Sequence, residues 1–91
     1  MNNVLRMLKT PNTVELIVMK PCEFEEMPRV VQALREYKSV LLNLTMIEAQ
    51  YRQRAVDFVA GGTYSIQGNL DKISESIFLF TPSGIEINRL S

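Results

Sequence analysis

Short apolar runs and longer periodic stretches alternate along the chain, and each pattern predicts its own element. Thr13–Pro21 (TVELIVMKP) reads as a strand, with Val14, Leu16 and Val18 facing one way, Ile17 and Met19 the other, and Pro21 as its stop. Phe24, Met27, Val30, Val31, Leu34 and Tyr37 then recur at spacings of three and four, the stripe of an amphipathic helix. Pro28 fits that helix if it starts near Glu25 or Glu26, because a first-turn proline lacks only an N–H that the helix does not use. Ser39–Thr45 (SVLLNLT) is nearly continuous in apolar residues, as expected of a central strand covered on both faces. A second helix is predicted from about Met46 to Ala60, with Ile47, Tyr51, Ala55, Phe58 and Val59 on its apolar side. Glu48 and Arg52 have the favourable i, i+4 order, and Gly61-Gly62 reads as the helix stop.

Three short strands follow, Thr63–Gln67, Leu70–Ile73 and Ile77–Thr81, with Gly84–Ile87 as a candidate further edge. The predicted order is β-α-β-α-β-β-β, an α/β (α+β) sandwich. Its mixed sheet of about five strands carries two helices on one face. Residues 13–91 are expected to be one core domain, preceded by a poorly specified lead-in at 1–12.

The last strand raises a question. Ile77-Phe78-Leu79-Phe80 places four large apolar residues in a row, so both faces of the sheet receive apolar side chains. If Ser74-Glu75-Ser76 is a three-residue hairpin loop, Lys72 stands opposite Phe78 and Leu70 opposite Phe80. Leu70, Lys72, Phe78 and Phe80 then share one face, and Asp71, Ile73, Ile77 and Leu79 the other. An apolar platform with one cation suits an acidic, apolar peptide: the apolar anchors supply affinity and the lysine fixes orientation. The alternative is that Phe78 is core beneath a helix and Lys72 a solvated strand charge.

Composition narrows the function. With 91 residues, 46% of them hydrophobic, the chain is one ordered domain whose small size makes self-association helpful to stability. Lys and Arg number 10, as do Asp and Glu, so there is no basic excess to neutralise nucleic acid and no net repulsion between copies. There is no histidine, no phosphate-cradling glycine loop and a single cysteine, Cys22, which is expected to be a buried structural thiol. Glu23, Glu25 and Glu26 are expected to be a solvated first turn favoured by the helix dipole. No enzyme, metal site or cofactor is expected, and binding or assembly remains. A lone cysteine, no membrane-length apolar run and no leader sequence together predict a cytosolic protein.

The second half of the chain carries a more specific pattern. SVLLNL, followed by RAVDFVAGGTYSIQGNLDKISESIFLFTPSGIEI, resembles the core domain of the SepF family of bacterial cell-division proteins. The matching residues are Asn43, Leu44, Asp57, Phe58, Gly61, Tyr64, Gly68, Lys72, Ile73, Phe78, Leu79, Thr81 and Pro82, and KPCEFEEMPRVVQALREYK resembles the family's first helix. The resemblance runs from about Val14 to Ile87. Three positions depart from it: Gln67 where a second glycine is usual, Gly62 where a β-branched residue is common, and Pro28 in the first helix. Met1–Asn12 is too short for the family's N-terminal amphipathic membrane helix and linker, so a core alone is expected.

What the resemblance implies is a non-enzymatic adaptor. Such a protein binds the C-terminal tail of the tubulin-like division protein FtsZ and, as a dimer or higher polymer, tethers or bundles its filaments. The implied location is the cytoplasmic side of the membrane at the mid-cell division ring. The implied tail-binding residues are Lys72 and Phe78, with Leu70 and Phe80 on the same face. Gly61 matches a glycine associated with assembly, and Phe58 and Tyr64 flank it as candidate dimer residues. Two other readings compete. A regulatory module of the anti-sigma-antagonist type would need a phosphorylatable residue at the strand–helix junction, where Thr45 is the candidate. A metabolite-binding regulatory dimer is the other.

Overall fold

The computed structural model describes residues 14–88, so the lead-in at 1–12 and the first residue of the predicted opening strand lie outside it. Along the chain come β1 (Leu16–Met19), a 3-10 turn (Phe24–Glu26), α1 (Met27–Arg35), β2 (Ser39–Asn43), α2 (Ala49–Ser65), β3 (Asn69–Lys72) and β4 (Ile77–Thr81). The strands form one mixed sheet in the order β1-β2-β4-β3, with β1 parallel to β2 and the other neighbours antiparallel.

Local chemistry explains where the helices begin and end. Ahead of α1, the Glu26 carboxylate accepts hydrogen bonds from the backbone N–H groups of Cys22 and Glu23 at 2.9 and 3.1 Å, which satisfies two donors at the helix entry. Pro28 sits in the first turn, as its chemistry requires. At the far end Tyr37 takes φ 66°, and the Lys38 N–H bonds the Ala33 carbonyl at 3.0 Å, a Schellman closure. The Tyr37 hydroxyl donates to the Ser83 carbonyl and so ties the chain after β4 to the end of α1.

The second helix departs from expectation. Gly61-Gly62 does not stop it; α2 runs on to Ser65. Two interior glycines cost about 1 kcal/mol each in helix propensity, so tertiary packing has to hold this turn. At Gly62 it does: a Cβ there would lie 2.8 Å from Cγ1 of Val31, so the bare backbone lets α2 close on α1. The helix ends one turn later in a second Schellman closure, with Gln67 at φ 60° and the Gly68 N–H on the Thr63 carbonyl at 2.8 Å.

The predicted strand Thr63–Gln67 is therefore absorbed into this helix and its cap. Gly84–Ile87 is not a strand either, so the described residues form four strands rather than about five. Two further expectations fail. Cys22 is exposed, because it sits in the turn after β1 rather than in the core. Arg52 does not pair with Glu48 but donates to the carbonyls of Ile47 and Thr45, at 2.9 and 3.3 Å.

Both helices pack on the same sheet face. Ile17–Val40–Phe80–Leu70 and Met19–Leu42–Phe78–Lys72 form two rows across the four strands on that face. Met27, Val30 and Leu34 of α1, with Ala55, Val56 and Val59 of α2, cover them and complete the core.

Gln67 holds a left-handed conformation that glycine adopts without strain, which accounts for the glycine usual there. Gln67→Gly is expected to raise stability by about 0.5–1 kcal/mol. At Gly68 a Cβ would meet the Thr81 carbonyl oxygen at 2.2 Å, so Gly68→Ala is expected to cost about 2–3 kcal/mol by overpacking. Urea denaturation of the two variants checks both signs.

Candidate functional site

The final hairpin has the register that a three-residue loop requires. Lys72 pairs with Phe78 and Leu70 with Phe80, and the Ile73 N–H bonds the Ile77 carbonyl at 2.9 Å to close the loop. The shared face, however, is the one the helices cover. Phe80 is 0% exposed and Phe78 8%, so neither ring is an open platform. Leu70 is half-buried against the same core, and the Lys72 ammonium lies at the rim, 3.2 Å from the Glu75 carboxylate. The expected cation beside an exposed aromatic is thus a cation above a buried one. Two helices on one side explain the difference, because a strand at the middle of the sheet must seat them.

The opposite face answers the question raised by the four apolar residues. Val18, Leu41 and Leu79 line up across β1, β2 and β4, with Leu16 and Ile77 on the same side, and no helix lies over them. Val18 is 66% exposed. At one corner the Ile85 carbonyl accepts hydrogen bonds from Asn69 Nδ2 and Thr81 Oγ1, at 2.8 and 3.1 Å, which holds the chain after β4 against that edge. Leu41, Ile77 and Leu79 are half-buried, so the exposed apolar part of this face among the described residues lies at Leu16 and Val18.

A second exposed surface lies on α2. Phe58 and Tyr64, the candidate dimer residues beside Gly61, are 44% and 60% exposed and stand on either side of it along the helix. A Cβ at Gly61 would meet nothing within 4 Å, so unlike Gly62 it is not required by packing within the chain. Tyr51 also projects to solvent, although it shares the three- and four-residue spacing of the buried residues. At 3.6 residues per turn Tyr51 stands about 40° from Ala55 and about 20° from Phe58, at the edge of the buried stripe.

The described residues include no grouping of three Cys, Asp or Glu side chains that could hold a metal. Thr45, the candidate modification site of the regulatory reading, is exposed, and its hydroxyl bonds Asn43 Oδ1 at 2.6 Å at the end of β2. No helix among the described residues is long and apolar enough to cross a membrane.

The family model for cell division protein SepF matches residues 16–87, the whole of the sheet and both helices. The chain belongs to the SepF family. Cell division protein SepF of Cyanothece sp. is 58% identical over 92 residues, covering 97% of this chain and 44% of that protein. The corresponding protein of Gloeothece citriformis is 54% identical over 91 residues, covering 99% of this chain and 47% of that one. The chain therefore spans less than half the length of these SepF relatives. Among solved structures, a SepF-like protein from Pyrococcus furiosus superposes with a TM-score of 0.75 at 20% identity, covering 88% of this chain and 100% of that one. Cell division protein SepF from Methanobrevibacter smithii in complex with FtsZ-CTD gives 0.63 at 18% identity, covering 84% and 99%. At these identities the two structures establish the shared SepF fold. Membership places the chain in a family of cell-division proteins.

Because Phe78 is core, Phe78→Ala is expected to cost about 3–5 kcal/mol, a large part of the ~5–15 kcal/mol of a typical domain. Thermal and urea unfolding measure it, and a loss below ~1 kcal/mol would place the ring outside the core.

Proposed function

We propose that this domain is a non-enzymatic division adaptor that binds the C-terminal tail of FtsZ and self-associates, so that tethered copies gather or bundle FtsZ filaments. The observation that carries this reading is apolar surface exposed, among the described residues, on both layers of so small a fold: Leu16 and Val18 on the sheet, Phe58 and Tyr64 on α2. Exposed apolar patches of this kind mark surfaces that other chains cover. The structure of SepF from Methanobrevibacter smithii in complex with FtsZ-CTD supports the choice of partner.

Lys72 is the residue best placed to meet the tail, since it is exposed at the rim while Phe78 and Phe80 support it from beneath. Its pair with Glu75 is solvent-exposed, and such pairs are worth only about 0–1 kcal/mol, so the ammonium exchanges partners at little cost. Self-association is assigned to Gly61, where the missing side chain lets a second copy's helix come close between the Phe58 and Tyr64 shoulders. The bare sheet face offers a second self-complementary surface. Two such contacts on opposite layers would join copies into an open chain rather than a closed dimer. In the cell, attachment through the family's N-terminal amphipathic helix would place the domain at the cytoplasmic side of the division-site membrane.

Lys72→Glu is expected to leave folding intact and weaken the FtsZ tail peptide about tenfold or more. Isothermal calorimetry reads this, and unchanged affinity removes Lys72 from the site. Gly61→Lys puts a long charged chain into the notch between the two aromatics. Light scattering is expected to show smaller species than the parent domain, and an unchanged size distribution would clear α2 of any role in assembly.

A further inference from the structure

At the end of the sheet opposite the Tyr37–Ser83 tie, the 3-10 turn and the first half of α2 enclose a groove of about 1000 Å3 that the tail-binding residues above do not use. Its walls include the aromatic side chains of Phe24, Tyr51 and Phe58, with Phe24 and Phe58 edge to face at 5.9 Å between ring centres. Glu23, Glu25 and Glu48 contribute three carboxylates to the lining, against one cation, Arg54. Arg54 is itself engaged, its guanidinium 5.0 Å above the Phe24 ring. An aromatic cleft with surplus negative charge attracts an apolar segment carrying Lys or Arg: ring faces hold the cation, and carboxylates accept its N–H donors. It repels an acidic one.

The topology relates this groove to Lys72. β1 and β2 are parallel, and β2 and β3 both run antiparallel to β4, so the C-terminal ends of β1, β2 and β3 lie at one end of the sheet. The groove follows β1 at Cys22, and Lys72 closes β3. The start of α2 stands between them. On one side Arg52 reaches Ser76 Oγ in the hairpin loop at 3.4 Å, and on the other Glu48 and Tyr51 face the 3-10 turn. A chain laid across this helix start passes from a cation to three carboxylates.

We infer that the groove receives a Lys- or Arg-bearing apolar segment of the FtsZ C-terminal tail while an acidic portion of the same tail lies toward Lys72, so that the tail binds in one direction. The inference rests on the tail-binding reading and adds the second pole of the site. The carboxylates belong to exposed side chains at helix entries, so neutralising two of them leaves the core untouched.

The test is calorimetry of the intact domain with a synthetic tail peptide of its own organism's FtsZ and with the same peptide carrying Ala for every Lys and Arg. Glu25→Gln with Glu48→Gln is expected to weaken the natural peptide about five- to tenfold and to have little further effect on the alanine peptide. Tyr51→Ala, which changes no charge, is expected to weaken both. Equal affinity of parent and double variant for the natural peptide overturns the groove, and if Lys72→Glu still weakens binding, the tail reading stands without it. A parent domain that binds no tail peptide overturns both. A tail sequence with no Lys or Arg overturns the groove alone.

Discussion

Everything in this fold depends on β4 lying in the middle of the sheet with large side chains on both of its faces. Phe78 and Phe80 are the seat on which both helices rest, and Leu42 and Val40 complete that seat from β2. The other two residues of the same run, Ile77 and Leu79, have no helix of the described residues above them. Two helices can blanket one face of a four-stranded sheet and no more. Among the described residues the helices are spent in this way, and none of them covers the other face.

The close approach of the helices follows from one missing side chain. Gly62 admits Val31 to the backbone of α2, and the helix can then carry two glycines that propensity alone would reject. Adjacent glycines thus do opposite things. Gly62 is held by contact inside the chain, whereas a Cβ added at Gly61 would meet nothing within 4 Å, so packing among the described residues does not require a glycine there. Both helices end in the same closure, with a non-glycine residue forced to positive φ at Tyr37 and Gln67. Tyr37 regains something from a hydrogen bond to Ser83, while the hydrogen bonds of the described residues give the Gln67 side chain no comparable partner.

Much of this was legible in the sequence, for physical reasons that differ by element. The β3–β4 register could be read because a three-residue loop between alternating strands leaves only one pairing, and the structure has it. The entry to α1 could be read from Pro28, since proline tolerates a helix only at its start. Local signals misled where tertiary packing overrode them: Gly61-Gly62 looked like a stop because nothing nearby in sequence announces Val31 as a partner. The faces were assigned correctly but not their cover. Side-chain alternation shows which residues lie together and is silent on which side the helices settle, so Phe78 and Phe80 could be grouped with Lys72 without being recognised as buried. Cys22 was misjudged for a similar reason, because its exposure depends on where the turn after β1 travels.

Charge bears on how such a domain can work as an adaptor. The formal net charge is zero, so no long-range field steers a partner toward it. Its charges are instead sorted at short range, with Lys72 and Arg52 near the hairpin loop and Glu23, Glu25 and Glu48 around the aromatic groove. Fields of this kind act within about 8–10 Å at physiological salt, and they select orientation more than they accelerate encounter. A weak, oriented site becomes effective when several copies are joined, because a second tail then binds at a raised effective concentration. Under the adaptor reading the bare apolar faces and the locally sorted charges are therefore one arrangement: self-association supplies the strength that the individual tail site does not.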